Sequence, residues 1–280
     1  MDGVIINADS AQIYDDLPVL SAAPTDEERS RSEHRLYGIA DGAEPCSAAD
    51  WAALARSEIA DVQSEGRLPI LVGGTGLYLR TLLDGIAPVP PIDPAIRAQV
   101  RGATVKTNCA RLADVDPEAA DRLNPGDTAR IARALEVVLS TGTPLSQWQA
   151  GRIGGIGEHV TLTPLILLPP RDWLYRRCDE RFVHMVEQGA AAEVEALLAR
   201  NLDPQLPVMR AIGVREIAGL LRGELSSDEA IAAGQQATRR YAKRQYTWFS
   251  HQPPPDWPRF TEPLEASAVS DALALLRANA

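Results

Sequence analysis

Apolar residues fall into distinct kinds of run along this chain. "VIINA", residues 4–8, is a short continuous apolar stretch without helical period, and it predicts a buried strand. "CSAADWAALARSEIADVQSEG" has apolar positions at three- and four-residue spacing, Ser47 as N-cap with Asp50 three residues on, and Gly66 at the stop. It predicts a helix. "RLPILVGG" is a second apolar run, ending in two glycines. Strand, long helix, strand is the βαβ order of a parallel sheet, so the first part of the chain reads as α/β. "PVPPIDP" breaks that rhythm and predicts a linker.

From residue 94 to 149 the pattern is helical throughout, with Asp127 capping "DTARIARALEVVLSTG". The expected organisation is therefore a helical insertion, residues 94–149, within an α/β core formed by residues 1–93 and 150–280. "TLTPLILLP", residues 161–169, predicts a returning strand. Helical periods then run through "DWLYRRCDERFVHMVEQG" and "SSDEAIAAGQQATRRYAKRQYTWFS", and "HQPPPDWPRF" predicts a proline-rich loop. There is no internal repeat and no low-complexity tract.

Composition narrows the class. With 280 residues, 45% of them hydrophobic and 24% charged, the chain can bury a substantial core. A formal net charge of −10 and a pI of about 5.0 argue against a surface coated in basic charge for indiscriminate nucleic-acid binding. An RNA partner would have to be met by a local basic patch. Cys46, Cys109 and Cys178 lie far apart without a C-x-x-C pair, and the four histidines have no metal spacing, so a disulfide framework and a zinc site are both disfavoured. No apolar run reaches the ~18 residues of a membrane span, and the N-terminus has no signal-peptide pattern. These features predict a soluble, cytoplasmic protein with no membrane partner.

The candidate chemistry sits at the ends of the two predicted strands. In open parallel sheets ligands bind beyond the carboxyl ends of the strands, so "INADSAQIY" aims Asp9 and Ser10 at a site. "LPILVGGTGLY" aims Thr75 the same way, with Gly73 and Gly74 expected to let backbone approach a ligand. Each signal alone is also that of an ordinary helix cap or turn.

Taken in order, "INADSAQIY", "EPCSAADW", "PILVGGTGLYLRTLL", "NPGDTARIARALEVVLSTGTPLSQWQ", "IGVREI" and "ATRRYAKRQYTWF" make the chain similar to the tRNA dimethylallyltransferases, also called tRNA isopentenyltransferases. The resemblance spans nearly the whole chain. It implies an α/β fold related to the P-loop kinases, with the nucleotide-binding ancestry of that class, a helical insertion and a helical C-terminal part. It also implies a reaction: transfer of a dimethylallyl group from dimethylallyl diphosphate to N6 of the adenosine immediately 3′ of the anticodon, position 37 of tRNA. The adenine amine is a poor nucleophile, so a carboxylate that takes its proton is useful, and by the resemblance that base is Asp9. Thr75 would orient the reacting base or stabilise developing charge. Ser10, Ala11 and Gln12 would line the approach of tRNA.

The resemblance further implies tRNA contacts at Arg97, at residues 129–133 (Ala129, Arg130, Ile131, Ala132 and Arg133), and at Arg210 and Arg215. Ala129 departs from the glutamine usual in the family, which removes one polar contact. In "RRYAKR" the basic cluster of Arg239, Arg240, Lys243 and Arg244 suits tRNA phosphates, although such a run is also an ordinary solvated face. Diphosphate departs more easily when Mg²⁺ and cationic side chains neutralise it. Mg²⁺ is therefore the expected cofactor, and Arg177 or Arg181 the expected diphosphate ligand. The anticodon stem-loop and dimethylallyl diphosphate are the expected partners of a monomeric chain.

The largest departure from the family is that no G-x-T-x-x-G-K-[ST] phosphate loop occurs in the chain. One expectation is a misplaced start, with the loop encoded upstream; the alternative is a truncated, inactive tRNA-binding remnant. Either leaves apolar surface exposed beside "VIINA". A small-molecule nucleotide kinase is the third reading, and it has no use for "GGTGLY" or "AKRQYTWF".

Overall fold

The structure, a computed structural model, describes residues 2–278. Strand β1 (Gly3–Asn7) lies at the centre of a three-stranded parallel sheet, flanked by β2 (His34–Arg35) and β3 (Leu68–Val72). Ile5 pairs with His34 on one side and with Ile70 on the other. Helix α1 (Asp26–Arg31) precedes β2, and α2 (Ala48–Ser64) connects β2 to β3. The α2 start forms as its sequence indicates: Asp50 N donates to Ser47 Oγ at 3.2 Å and Ser47 N donates to Asp50 Oδ2 at 3.0 Å. Trp51, Ala55, Ile59 and Val62 fall on one face of α2 and are buried, as are Val4 and Ile6 of β1. Burying side chains of this size contributes about 1.5–3 kcal/mol each. The apolar surface expected beside β1 appears on β3, where Leu68, Ile70 and Val72 are exposed by 46%, 40% and 48%.

Helix α3 (Gly76–Asp84) comes after β3, and then every element up to Ala150 is helical: α4 (Pro94–Gly102), α5 (Val105–Val115), α6 (Pro117–Arg122), α7 (Thr128–Thr141) and α8 (Leu145–Ala150). Asp127 caps α7 by accepting from Arg130 N at 3.1 Å. The chain divides into two compact units, residues 1–82 with 159–280, and residues 83–158. The second unit reaches past residues 94–149 on both sides because its two ends are tied together. Ile86 and Ile153 exchange backbone hydrogen bonds of 3.0 Å, and Gly157 N donates to Leu83 O at 3.0 Å. Its core is built from Val100, Leu112, Ala119, Ile131, Ala134, Leu135 and Val138.

In the first unit the chain continues through β4 (Ile166–Leu167), α9 (Arg171–Glu187), α10 (Ala190–Ala199), α11 (Val214–Leu221), α12 (Ser227–His251), β5 (Arg259–Phe260) and α13 (Val269–Arg277). Helices α9 and α12 pack along each other. The returning strand expected over residues 161–169 is only two residues long and does not join the sheet. It pairs in parallel with β5, which lies in the segment expected to be a loop. Pro164, Pro169 and Pro170 lack the N–H that a longer ladder needs. Four carbonyls, those of Pro253, Pro254, Pro255 and Trp257, gather around the Arg259 guanidinium and stiffen the proline-rich segment.

Candidate active site at the strand ends

Asn7, the last residue of β1, is fully buried and shapes the turn after it. Its Oδ1 accepts from Asp9 N at 2.7 Å, while Nδ2 donates to the carbonyls of Asp9 at 3.0 Å and Leu36 at 2.9 Å. The chain therefore bends sharply as the strand ends. Asp9 Oδ1 accepts from Ala11 N at 2.9 Å. The end of β3 is stitched to the same turn: Thr75 N donates to Ala8 O at 3.1 Å, and Ser10 N donates to Thr75 Oγ1 at 2.9 Å. Thr75 Oγ1 also lies 3.2 Å from Ser10 Oγ. The two strand ends thus place Asp9, Ser10 and Thr75 on one stitched turn, with the Thr75 hydroxyl against Ser10; Asp9 and Ser10 line the cavity described below and Thr75 is not among its lining residues.

The two glycines also have a packing role. A Cβ on Gly73 would lie 2.2 Å from the Ala8 carbonyl carbon, and one on Gly74 would lie 2.0 Å from Gln245 Nε2. Their missing side chains admit β1 on one side and α12 on the other, and Gly74 also lines the cavity described below.

Asp9, Ser10, Ala11, Gln12 and Gly74 line a cavity of about 440 Å³. Arg181, Arg210 and Arg244 also line it, together with Tyr241, Gln245 and an apolar wall that includes Leu17, Leu20, Phe182 and Met185. Burial pushes the Asp9 carboxyl above the usual carboxylate range, against the opposing pull of the Ala11 N–H and the Arg181 charge. A desolvated carboxylate is a stronger base than one in water. The Tyr241 phenol is pushed up, first by burial and then by the Asp9 charge.

Arg181 and Arg177 lie on the same helix, yet they separate clearly. Arg181 lines the cavity, while Arg177 is ion-paired with Glu180 at 3.7 Å, lies over the Trp173 ring and does not line it. The Gln12 amide is committed to the carbonyls of Ser21 and Ala22 at 3.1 and 2.7 Å. Arg239 is partly buried in an ion pair with Asp179, which leaves Arg240, Lys243 and Arg244 as the exposed cations of that cluster. Arg244 lies 5.3 Å from the Tyr241 ring centroid. Arg215 is exposed on α11.

Within residues 83–158, Arg97, Ala129, Arg130 and Arg133 are exposed. Ile131 is 2% exposed and belongs to the core of that unit, and Ala132 packs against it, so neither presents a side chain to a ligand. The helical period of α7 dictates this: only part of a five-residue helical segment can face outward. Arg130 pairs with Asp127 at 3.4 Å. Arg133 keeps part of its side chain in solvent, but the protein packed around the rest of it partly desolvates the guanidinium and draws it below its usual pKa, with Glu136 opposing the shift and the charges of Arg97 and Arg101 adding to it. Glu136 is 1% exposed and accepts from Arg101 Nε at 2.9 Å. Glu136→Gln keeps the shape but removes the charge that offsets three arginines. It should destabilise this unit by roughly 1 kcal/mol, discounted for the exposure of Arg101 and read as a lower urea midpoint.

Among the described residues no group of three or more His, Cys, Asp and Glu could hold a metal ion. Asp9 is the only carboxylate among the described residues lining the cavity. Also among the described residues, no helix is long and apolar enough to cross a membrane.

Four residues at or near the site were not singled out from the sequence. Asn7 could have been flagged, because a polar residue ending a buried strand needs partners. Tyr241 and Gln245 carry no such signal, since their partners are more than 160 positions away along the chain. Trp51, on the buried face of α2, donates from Nε1 to Asn7 O at 2.8 Å.

A desolvated carboxylate at the ends of parallel strands, sharing an open cavity with three arginines, defines an α/β enzyme suited to an anionic substrate. The family model described as IPP transferase matches residues 12–252. A tRNA dimethylallyltransferase of Novosphingobium aromaticivorans is 61% identical over 276 residues, which cover 98% of each chain. Another, from Erythrobacter litoralis, is 63% identical over 92% of this chain and 81% of its own. The solved full-length tRNA isopentenylpyrophosphate transferase of Bacillus halodurans superposes with a TM-score of 0.67 at 30% identity, covering 99% of this chain and 89% of that one. A eukaryotic dimethylallyltransferase solved acting on tRNA gives 0.73 at 26% identity, over 88% of this chain and 63% of that one. The chain belongs to the IPP transferase family.

Proposed function

We propose that this protein transfers a dimethylallyl group from dimethylallyl diphosphate to N6 of the adenosine 3′ of the anticodon in tRNA. The observation that carries this reading is Asp9: a carboxylate made more basic by burial, in a cavity that also holds arginines, on a turn that Thr75 ties down through its bonds to Ser10. The adenine amine attacks the first carbon of the donor, and the bond from that carbon to the diphosphate oxygen breaks with its electron pair. An N6 proton passes to Asp9. Thr75 orients the amine against that carboxylate. Arg181 meets the departing diphosphate, and Arg210, Lys243 and Arg244 take RNA phosphates. Magnesium would be carried on the diphosphate and would neutralise it as it leaves, since among the described residues no group of three or more His, Cys, Asp and Glu could hold the ion.

The test is transfer of isotope-labelled dimethylallyl diphosphate to an anticodon stem-loop carrying the target adenosine, beside one with guanosine at that position. Label should enter the first RNA and not the second. Stem-loop binding without any transfer would favour the non-catalytic remnant and remove this reading.

A further inference from the structure

The turn that carries Thr75 is held from outside the sheet as well as from within it. Gln245 Nε2 donates to Gly74 O at 3.0 Å, across 171 positions of sequence. A Cβ on Gly76, immediately after Thr75, would meet the Trp248 ring at 2.4 Å. Gln245 and Trp248 are three residues apart on α12, and Tyr241, one turn earlier on the same face, lines the cavity. Helix α12 therefore presents one face to the turn, and it also carries the exposed Lys243 and Arg244.

We infer that Gln245 is a positioning residue. Through the Gly74 carbonyl it fixes the turn so that the Thr75 hydroxyl stays against Ser10 and the reacting amine, and so links the helix that takes RNA phosphates to the catalytic hydroxyl. This rests on the function proposed above. Gln245 spends one of its two amide protons on a backbone carbonyl of the turn, and it carries no charge with which to hold an RNA phosphate. Its loss should appear in the chemical step and not in RNA affinity. A turn displaced by about 1 Å moves the hydroxyl out of line, and displacements of that size lower rates by up to roughly 100-fold.

The variant that isolates the bond is Gln245→Met, which keeps the volume packed against Gly74 and removes the donor. Single-turnover transfer to the anticodon stem-loop should slow by roughly 10–100-fold, with RNA Kd within about twofold of wild type. In a Thr75→Ala background the same substitution should add almost nothing, because both changes act through one hydroxyl. A wild-type rate in Gln245→Met overturns the inference while leaving the proposed function standing. So does a loss that is equal in the Thr75→Ala background, or one matched by lost RNA affinity. A wild-type chain that transfers no label removes both readings together.

Discussion

Asp9→Asn is expected to lower the rate of prenyl transfer by about 10²–10⁴-fold while leaving affinity for an anticodon stem-loop unchanged. Asparagine keeps the shape of the turn and an oxygen to accept from Ala11 N, but it cannot take a proton. RNA affinity rests on many phosphate contacts, so one lost acid should not change it. Turnover near the wild-type rate would remove Asp9 from the mechanism. Two pH signatures accompany the rate loss. Transfer by the wild-type chain should rise with pH along an acid limb displaced above the ordinary carboxylate range, because burial raises the Asp9 pKa. Stability should move the other way. Between the ordinary and the folded pKa the native state holds more protons than the unfolded one, so stability falls as pH rises through that window and stays lowered at neutral pH. Asp9→Asn should therefore melt higher than wild type at pH 7, with the gap closing as pH falls below the ordinary carboxylate range.

The largest loss of stability is expected from Trp51→Ala, at about 3–5 kcal/mol. The Trp51 side chain is fully buried and stacks on Tyr78 with ring centroids 4.6 Å apart. Its indole N–H satisfies Asn7 O, and Asn7 in turn sets the turn that carries Asp9. Truncation leaves a cavity, an orphaned carbonyl and a loosened catalytic turn together. Trp51→Phe keeps a ring against Tyr78 but loses the hydrogen bond and part of the packed volume, so it should cost less than the alanine variant, about 1–3 kcal/mol. Denaturant midpoints of the two variants check that order.

Features governed by short-range signals were legible in the sequence. The capping box at Ser47, the cap at Asp127 and the apolar runs that became β1 and β3 all act over a few residues, and each formed where expected. The delivery of Asp9, Ser10 and Thr75 to one place came from parallel topology, because parallel strands end on the same side. Features governed by distant partners were not legible. The apolar run over residues 161–169 announced β4, but neither its two-residue length nor its partner was legible, because β5 lies more than 90 positions further on and is itself only two residues long. Arg177 has its partners, Glu180 and Trp173, on its own helix, whereas nothing local puts Arg181 at the cavity or marks Arg239 as bound to Asp179; the packing of α9 against α12 brings Asp179 to Arg239. Gly73 and Gly74 announced a close approach without revealing what approaches.

The polypeptide enters and leaves residues 83–158 through a single narrow neck, closed by the bridge between Ile86 and Ile153 and by the bond from Gly157 to Leu83. Behind that neck lies a self-contained core. A module whose two ends already touch behaves as a cassette. It can be excised and the stubs rejoined through a short linker, or grafted into another host, without stretching the chain it leaves behind.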